Sequence, residues 1–275
     1  MTFKLATWNI NSVRLRIDLV ERFARDYSPD IICLQEIKCA EEHFPLDALK
    51  AMGFRHIEVK GQKGYHGVAT LSKLPLTRLE SRDFNRSGDA RHLATEIAPK
   101  GKNAKPIVLH NVYVPSGGDE PDPKVNLKFK QKLDFLKAMA KWFDGHDEKS
   151  SNRLILVGDF NVAPLETDVW SHKQLLNVVS HTPVEVAHLD RLKKAHDWID
   201  VAREHIPPEE QLYTWWSYRA RDWRASNRGR RLDHVWVTPA LAKAAKAIEV
   251  VDVARDWERP SDHVPVITVI DPNRG

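Results

Sequence analysis

Short apolar runs of four to seven residues alternate along this chain with amphipathic stretches of ten or more, the pattern of a mixed α/β domain. Residues 3–10 read as a strand. Leu15, Leu19 and Phe23 then repeat at helical spacing up to Tyr27, and Ser28-Pro29-Asp30 stops that helix ahead of a second strand at 31–34. A helix over 46–52 and strands near 67–72, 93–97 and 107–114 follow. Leu133, Leu136, Ala140 and Phe143 share one face of a helix over 127–143, and a buried strand at 154–157 leads into Gly158-Asp159-Phe160-Asn161. The first strand ends in a similar way, at Trp8-Asn9-Ile10-Asn11. This echo raises the alternative of two similar halves meeting near 145–152. The polar segments at 100–105 and 145–152 are of loop length, and no Ser/Gly-rich linker separates the halves. A single domain over 1–275 is the expectation.

Composition narrows the class. A chain of 275 residues with 42% hydrophobic and 29% charged residues can bury a large core and is not a disordered chain. Lys plus Arg 42 against Asp plus Glu 38 leaves only +4, which excludes a histone-like neutraliser of phosphate. Any nucleic-acid surface must come from local clustering. Cys33 and Cys39 cannot make a disulfide framework, and Cys33, inside an apolar run, reads as a buried thiol of a reducing compartment. Residues 1–10 lack the marks of a signal peptide and no apolar run reaches 18 residues, so a soluble cytoplasmic protein with no membrane partner is expected.

Chemistry concentrates where polar residues follow buried strands, because an α/β scaffold holds strand ends rigidly. These positions are Asn9, Gln35-Glu36, Tyr113, Asp159 with Asn161, and Asp233 with Asp262-His263. A lone Asn or Asp at such a place caps a helix or shapes a turn. Four carboxylates gathered with two carboxamides and one imidazole are different: they repel one another unless a cation or bound substrate absorbs the charge. All-oxygen donors without thiolate point to Mg²⁺ or Mn²⁺, and no zinc spacing occurs among the 13 histidines.

A second concentration is the segment 213–231, where Trp215, Trp216, Tyr218 and Trp223 alternate with Arg219, Arg221, Arg224, Arg228, Arg230 and Arg231. Flat apolar surfaces beside guanidiniums suit a nucleic-acid backbone. The competing reading is a hairpin that buries its tryptophans and solvates its arginines.

Trp8-Asn9-Ile10-Asn11, Leu34-Gln35-Glu36-Ile37-Lys38, Gly61-Gln62-Lys63-Gly64, Gly67-Val68-Ala69, Gly158-Asp159-Phe160-Asn161-Val162-Ala163-Pro164, Arg231-Leu232-Asp233 and Ser261-Asp262-His263-Val264-Pro265-Val266 resemble, in order and spacing, the exonuclease III family of abasic-site DNA endonucleases. The resemblance implies a four-layered α/β sandwich of the DNase I-like kind, with two central mixed sheets flanked by helices. It implies Mg²⁺-dependent phosphodiester cleavage leaving a 3′-hydroxyl, acting on double-stranded DNA with abasic sites or blocked 3′ ends, by a protein expected to be a monomer. Carried over residue by residue, Glu36 is the principal metal ligand, with Asn9 and Asp262 completing the site through water. Asp159 orients or deprotonates the attacking water, and Asn161 holds that water and a phosphate oxygen. His263, its tautomer fixed by Asp233, contacts the scissile phosphate, as does Tyr113. Trp216 and Arg230 are the candidates for a pocket and wedge, Arg219, Arg221, Trp223 and Arg224 for the wider DNA surface, and Lys63 and Arg91 for backbone contacts.

In-line displacement at phosphorus agrees with those roles, since it requires a cation, N–H or O–H donors and one base. A bare Asp with a reference pKa of about 3.9 is a weak base unless its surroundings raise it. The chain departs from the family at Ser12 and Ser116, which bear on DNA-strand contacts, and across Thr182-Pro183-Val184-Glu185-Val186-Ala187 at the border of the substrate face. Two other functions compete: a phosphatase or phosphodiesterase of the same superfamily acting on inositol phosphates or sphingomyelin, and a non-catalytic DNA-binding protein. The first is disfavoured by the Trp/Arg segment, the second by the complete set of catalytic residues.

Overall fold

The computed structural model describes residues 2–99, 105–146 and 151–274, so most of the two segments read as loops lies outside the described residues. In chain order the elements are β1 (Phe3–Asn9), α1 (Ile17–Tyr27), β2 (Ile31–Gln35), α2 (Leu46–Ala51), β3 (His56–Lys60), β4 (Val68–Ser72), β5 (Leu76–Arg78), β6 (His92–Ile97), β7 (Ile107–Tyr113), α3 (Leu127–Asp144) and β8 (Leu154–Asp159). There follow α4 (His172–Leu175), α5 (Pro183–Ala195), β9 (Ile199–Asp200), α6 (Val201–His205), β10 (Trp215–Trp216), α7 (Trp223–Ser226), β11 (Gly229–Arg230), β12 (Asp233–Val237), β13 (Ala245–Val250) and β14 (Val266–Ile270).

The long strands form two six-stranded mixed sheets, ordered β13-β14-β1-β2-β4-β3 and β5-β6-β7-β8-β12-β9. Each has one parallel pair at its centre, β1 with β2 and β7 with β8, joined by the crossover helices α1 and α3. Period-two alternation sorts the side chains into layers. Leu5, Ile31 and Cys33 face Leu109, Ile155, Val157 and Val235 between the sheets. Trp8, Ile32 and Leu34 face outward onto Leu19, Val20 and Phe23 of α1. On the other side Val112, Leu156 and Trp236 meet Phe135, Leu136 and Met139 of α3 and Leu189 and Leu192 of α5. The result is the four-layered sandwich expected, each fully buried large side chain contributing roughly 1.5–3 kcal/mol. No helix among the described residues is long and apolar enough to cross a membrane.

Two expectations are corrected, and the alternative of two halves is set against the sheet order. Leu15 is 58% exposed and lies outside α1, which begins at Ile17 and ends at Ser28 in a left-handed cap (φ 51°). The boundary near 145–152 does not divide the sheets: β5, β6 and β7 precede it and share a sheet with β8, while β13 and β14 return to the first sheet. Asp233 and Asp262-His263 do not follow strands; they open or precede them. Because β12 runs antiparallel to β8, Asp233 pairs in register with Asp159, and because β14 runs antiparallel to β1, the residues before it reach the Asn9 end. The last residues of β1, β2, β7 and β8 and the first of β12 thus share one edge of the sandwich.

That edge is stitched by amides. Gln35 Nε2 donates to Asn111 Oδ1 in the opposite sheet (2.8 Å), and Asn111 Nδ2 donates to the carbonyls of Ala69 (2.9 Å) and Leu34 (3.2 Å). Gln35 is therefore structural, fixing the sheets' relative position beneath the site.

Candidate active site

The site is built on backbone that few residues adopt willingly. β2 leads into Glu36 at φ 48°, and β8 leads into Asn161 at φ 54°, left-handed states that cost a non-glycine residue on the order of 1 kcal/mol or more. Ser12, itself at φ 86°, donates its N–H to the Glu36 carbonyl at 2.7 Å and holds that turn. Gly158 has φ 139°, and a Cβ there would lie 1.9 Å from the Val112 carbonyl oxygen, so only glycine lets β8 approach β7 just before Asp159.

These turns bring the predicted side chains together. Asn9 Nδ2 donates to Glu36 Oε1 and to Asp159 Oδ2, both at 2.9 Å, so one carboxamide spans two carboxylates. Asn161 clasps Asp159 with its backbone N–H on Oδ1 (2.9 Å) and its Nδ2 on Oδ2 (3.1 Å). His263 lies between two acids, with Nδ1 2.8 Å from Asp233 Oδ2 and Nε2 3.7 Å from Asp159 Oδ2. Thr214 Oγ1 donates to the same Asp233 oxygen at 2.6 Å and orients it. Tyr113 is buried beside Glu36 and Asp159, whose charges, after burial, push its phenol well above the usual range.

The charges are arranged to be used. Burial drives the Asp159 carboxyl up, and the nearby charges of Asp233 and Glu36 add to it against the opposing imidazolium. A carboxylate raised toward neutrality is a far better proton acceptor than a free Asp. Burial also disfavours charge on His263, but Asp233 and Asp159 overcome it and hold the imidazolium protonated. Glu36 is the reverse: burial would raise it, yet Lys38, 2.8 Å from its Oε2, and the Asn9 bond keep it ionised.

Whether a metal fits is a question of oxygen donors. Glu36 lines the cleft, already attracts a cation at Oε2 and offers hard carboxylate oxygens suited to a small dication. Asp159, Asp233 and His263 also place ligand atoms within 4.8 Å of one another, but Asp233 and His263 already satisfy each other. The oxygens expected from Asn9 and Asp262 are engaged. Asn9 Oδ1 accepts from the Asn11 N–H (3.1 Å), and Asp262 accepts from Trp215 Nε1 (3.0 Å) and Asn11 Nδ2 (3.2 Å). These bonds orient both side chains and leave each oxygen a second lone pair, through which a metal-bound water would be held.

Glu36, Asn161, Asp262 and His263 line an open cleft of about 860 Å³ together with Trp170, Trp215, Arg219, Arg228 and Arg230. Residues 6–263 match the model of the Endonuclease/Exonuclease/phosphatase family. The chain belongs to this family. Exodeoxyribonuclease III of Haemophilus influenzae is 30% identical over 269 residues, covering 96% of this chain and 98% of that protein. Among solved structures, an AP endonuclease from Archaeoglobus fulgidus superposes with a TM-score of 0.87 at 28% identity, covering 98% of this chain and 99% of that one. The 3′ phosphatase NExo from Neisseria, solved with a product DNA hairpin, gives 0.84 at 31% identity, covering 98% and 99%.

Like those relatives the enzyme is an α/β sandwich, but its DNA-facing candidates divide sharply. Arg219 and Arg230 line the cleft; Arg230 lies over the Trp215 ring at 5.2 Å and donates to the Val179 carbonyl (2.9 Å) and Ser180 Oγ (2.7 Å). Lys63 and Arg221 are exposed beyond it. Trp216 also lines the cleft but is only 5% exposed, packs on Tyr213 and Trp223 and donates to Asn227 Oδ1, so it offers the cleft an edge of a fixed wall. The hairpin register explains the exchange: Trp216 pairs with Gly229, whereas Trp215 pairs with Arg230 and offers its face. Trp223 donates to Asp256, and Arg224 is paired with Asp252 and Asp256, so its charge is internally balanced. Arg91 is buried beneath Tyr113, bonded to Asp89 and the Tyr113 carbonyl, and cannot reach a DNA backbone. Arg231 is spent on Asp168 and Asp200.

Trp170 and Ser180 went unpredicted because residues 163–181 carry no periodicity to place them. Arg228, stacked on Trp170 at 4.7 Å, was visible within the Trp/Arg segment but indistinguishable there from its neighbours.

Proposed function

We propose that this enzyme is a DNA-repair nuclease that hydrolyses phosphodiesters to leave a 3′-hydroxyl, incising 5′ to abasic sites in duplex DNA and working on 3′ ends as exonuclease and 3′-phosphatase. The observation that carries this reading is the linked row Glu36, Asn9, Asp159, His263, Asp233, whose Glu36 and His263 line a cleft that tryptophan and arginine side chains line as well. A base, a protonated donor and an anionic metal position thus adjoin surfaces for sugar and phosphate.

Glu36 would hold Mg²⁺, or Mn²⁺; when bound, the ion supplies charge neutralisation at the phosphate and acidifies water. The residues themselves do the rest. Asp159, raised by burial and clasped by Asn161, accepts the proton of the attacking water. The His263 imidazolium, fixed by Asp233, donates to a non-bridging oxygen as negative charge grows there. Tyr113, kept protonated, supplies a second donor through its O–H. Trp215 presents a flat face to an extrahelical sugar while Arg219, Arg228 and Arg230 meet flanking phosphates.

The test is cleavage of a duplex with one abasic site, a blunt duplex and a duplex ending in 3′-phosphate, each in Mg²⁺ and in EDTA, beside an inositol phosphate and sphingomyelin. Incision of DNA in Mg²⁺ alone is expected. Incision that survives chelation, or hydrolysis of the lipid or inositol substrates without DNA cleavage, overturns the reading.

A further inference from the structure

Three loops that wall the cleft converge on one buried ion pair that the chemistry above does not use. Lys132 projects from α3 and Glu185 from the first turn of α5, and both side chains are wholly buried against one another. The Lys132 ammonium pairs with Glu185 Oε1 and donates to the carbonyls of Asn161 at 2.7 Å and Ser116 at 3.2 Å, so all three of its N–H bonds are used. Glu185 in turn receives the Ser180 N–H (2.9 Å to each oxygen), the Thr182 N–H (3.1 Å) and the Thr182 hydroxyl (2.6 Å). Ser180 Oγ and the Val179 carbonyl are the two acceptors that hold Arg230. Gly117, at φ 93°, presses on the same stem: a Cβ there would come within 2.9 Å of Lys132 Cδ and 3.0 Å of Val179 Cγ1.

Packing alone does not call for this arrangement, because apolar residues of equal volume usually serve a core as well or better than a buried ion pair. What apolar residues cannot do is bind the carbonyl of Asn161 in its left-handed turn, or the N–H groups of the turn that anchors Arg230. We infer that Lys132 and Glu185 are positioning residues for the cleavage reaction, Lys132 fixing Asn161 against Asp159 and Glu185 fixing the Ser180 turn behind Arg230. The inference rests on reading the cleft as the nuclease site. It also gives the departing 182–187 stretch a function: its Thr182 and Glu185 cap α5 reciprocally and carry the anchor.

The test uses paired variants of the full chain. Lys132→Met with Glu185→Gln removes both charges, keeps the side-chain shapes and keeps an acceptor for Ser180. It is expected to melt close to wild type, to cut the abasic duplex in single turnover at least about tenfold more slowly, and to leave KM within about threefold. Lys132→Met with Glu185→Leu also drops the Ser180 anchor, and KM rises a further fivefold or about that. A folded Met/Gln variant that cuts within about twofold of wild type overturns the inference. So does failure of that variant to fold, since the pair then serves the fold as a whole. Wild-type protein run alongside separates the two readings: if it leaves DNA uncut in Mg²⁺, the nuclease assignment fails and the positioning role falls with it.

Discussion

Replacing Arg231 by methionine measures how much stability rests on the charge cluster beneath the cleft. The Arg231 side chain is buried, with Nε and Nη2 on the two oxygens of Asp168 (2.8 and 3.0 Å) and Nη1 on both oxygens of Asp200 (3.1 and 2.8 Å). Arg203 adds a bond to Asp168 at 2.5 Å. Methionine recovers much of the volume but leaves Asp200 buried without its guanidinium. Removing one member of a buried pair costs about 3–5 kcal/mol. At roughly 2–4 °C per kcal/mol for a chain of this size, the melting midpoint should fall by about 10 °C at pH 7.5. The pH dependence fixes the mechanism. Burial opposes ionisation of Asp200, but Arg231 overcomes it and holds the folded pKa below the usual carboxylate value. In wild type this stabilisation is present above the unfolded pKa of about 3.9 and is lost as pH falls through the lower folded value. In the variant burial is opposed only by the weaker effects of His234 and Lys193, the folded pKa rises, and the folded state takes up a proton more readily than the unfolded one. The deficit should therefore narrow when melts are repeated near pH 4.5. A deficit under about 1 kcal/mol at pH 7.5, or one that widens on acidification, refutes the argument.

Other outcomes follow from the same geometry. Asp159→Asn should bind abasic duplex normally yet lose about a hundredfold or more in kcat, and a loss below about tenfold in a single-turnover assay would place the base elsewhere. Arg228→Ala should reduce the slope of log affinity against log salt by about one, whereas Arg224→Ala, whose charge is balanced by Asp252 and Asp256, should leave it unchanged; a flattened slope for the second variant contradicts the assignment. Gly158→Ala puts a methyl group 1.9 Å from the Val112 carbonyl and should lower stability by more than about 2 kcal/mol in urea melts, so a variant as stable as wild type would disprove the close approach of β8 to β7.

Hydrophobic patterning made the centre of the fold legible. β1, β2, β7 and β8 are almost wholly buried and mainly apolar, so their ends, and with them Asn9, Glu36, Tyr113 and Asp159, could be placed at strand termini. Strand direction was not legible. A run of apolar residues has no sign, and Asp233 and His263 looked like residues after a strand when they stand before one. An antiparallel neighbour brings its first residue to the edge where a parallel one brings its last, which is why β12 delivers Asp233 to Asp159.

The arginines show a second limit, set by distance along the chain. In sequence Arg219, Arg224, Arg228 and Arg231 are one cluster, and Arg91 is a further basic residue. What separates them is the nearest carboxylate: Asp89 is two residues from Arg91, but Asp256 is 32 from Arg224 and Asp168 is 63 from Arg231. Only the fold decides which guanidiniums are cancelled inside the protein. Arg228 and Arg230 rest on the rings of Trp170 and Trp215, and a ring attracts a cation without neutralising it. A chain whose formal charge is only +4 thereby keeps uncancelled guanidiniums in the cleft that Glu36 and His263 also line.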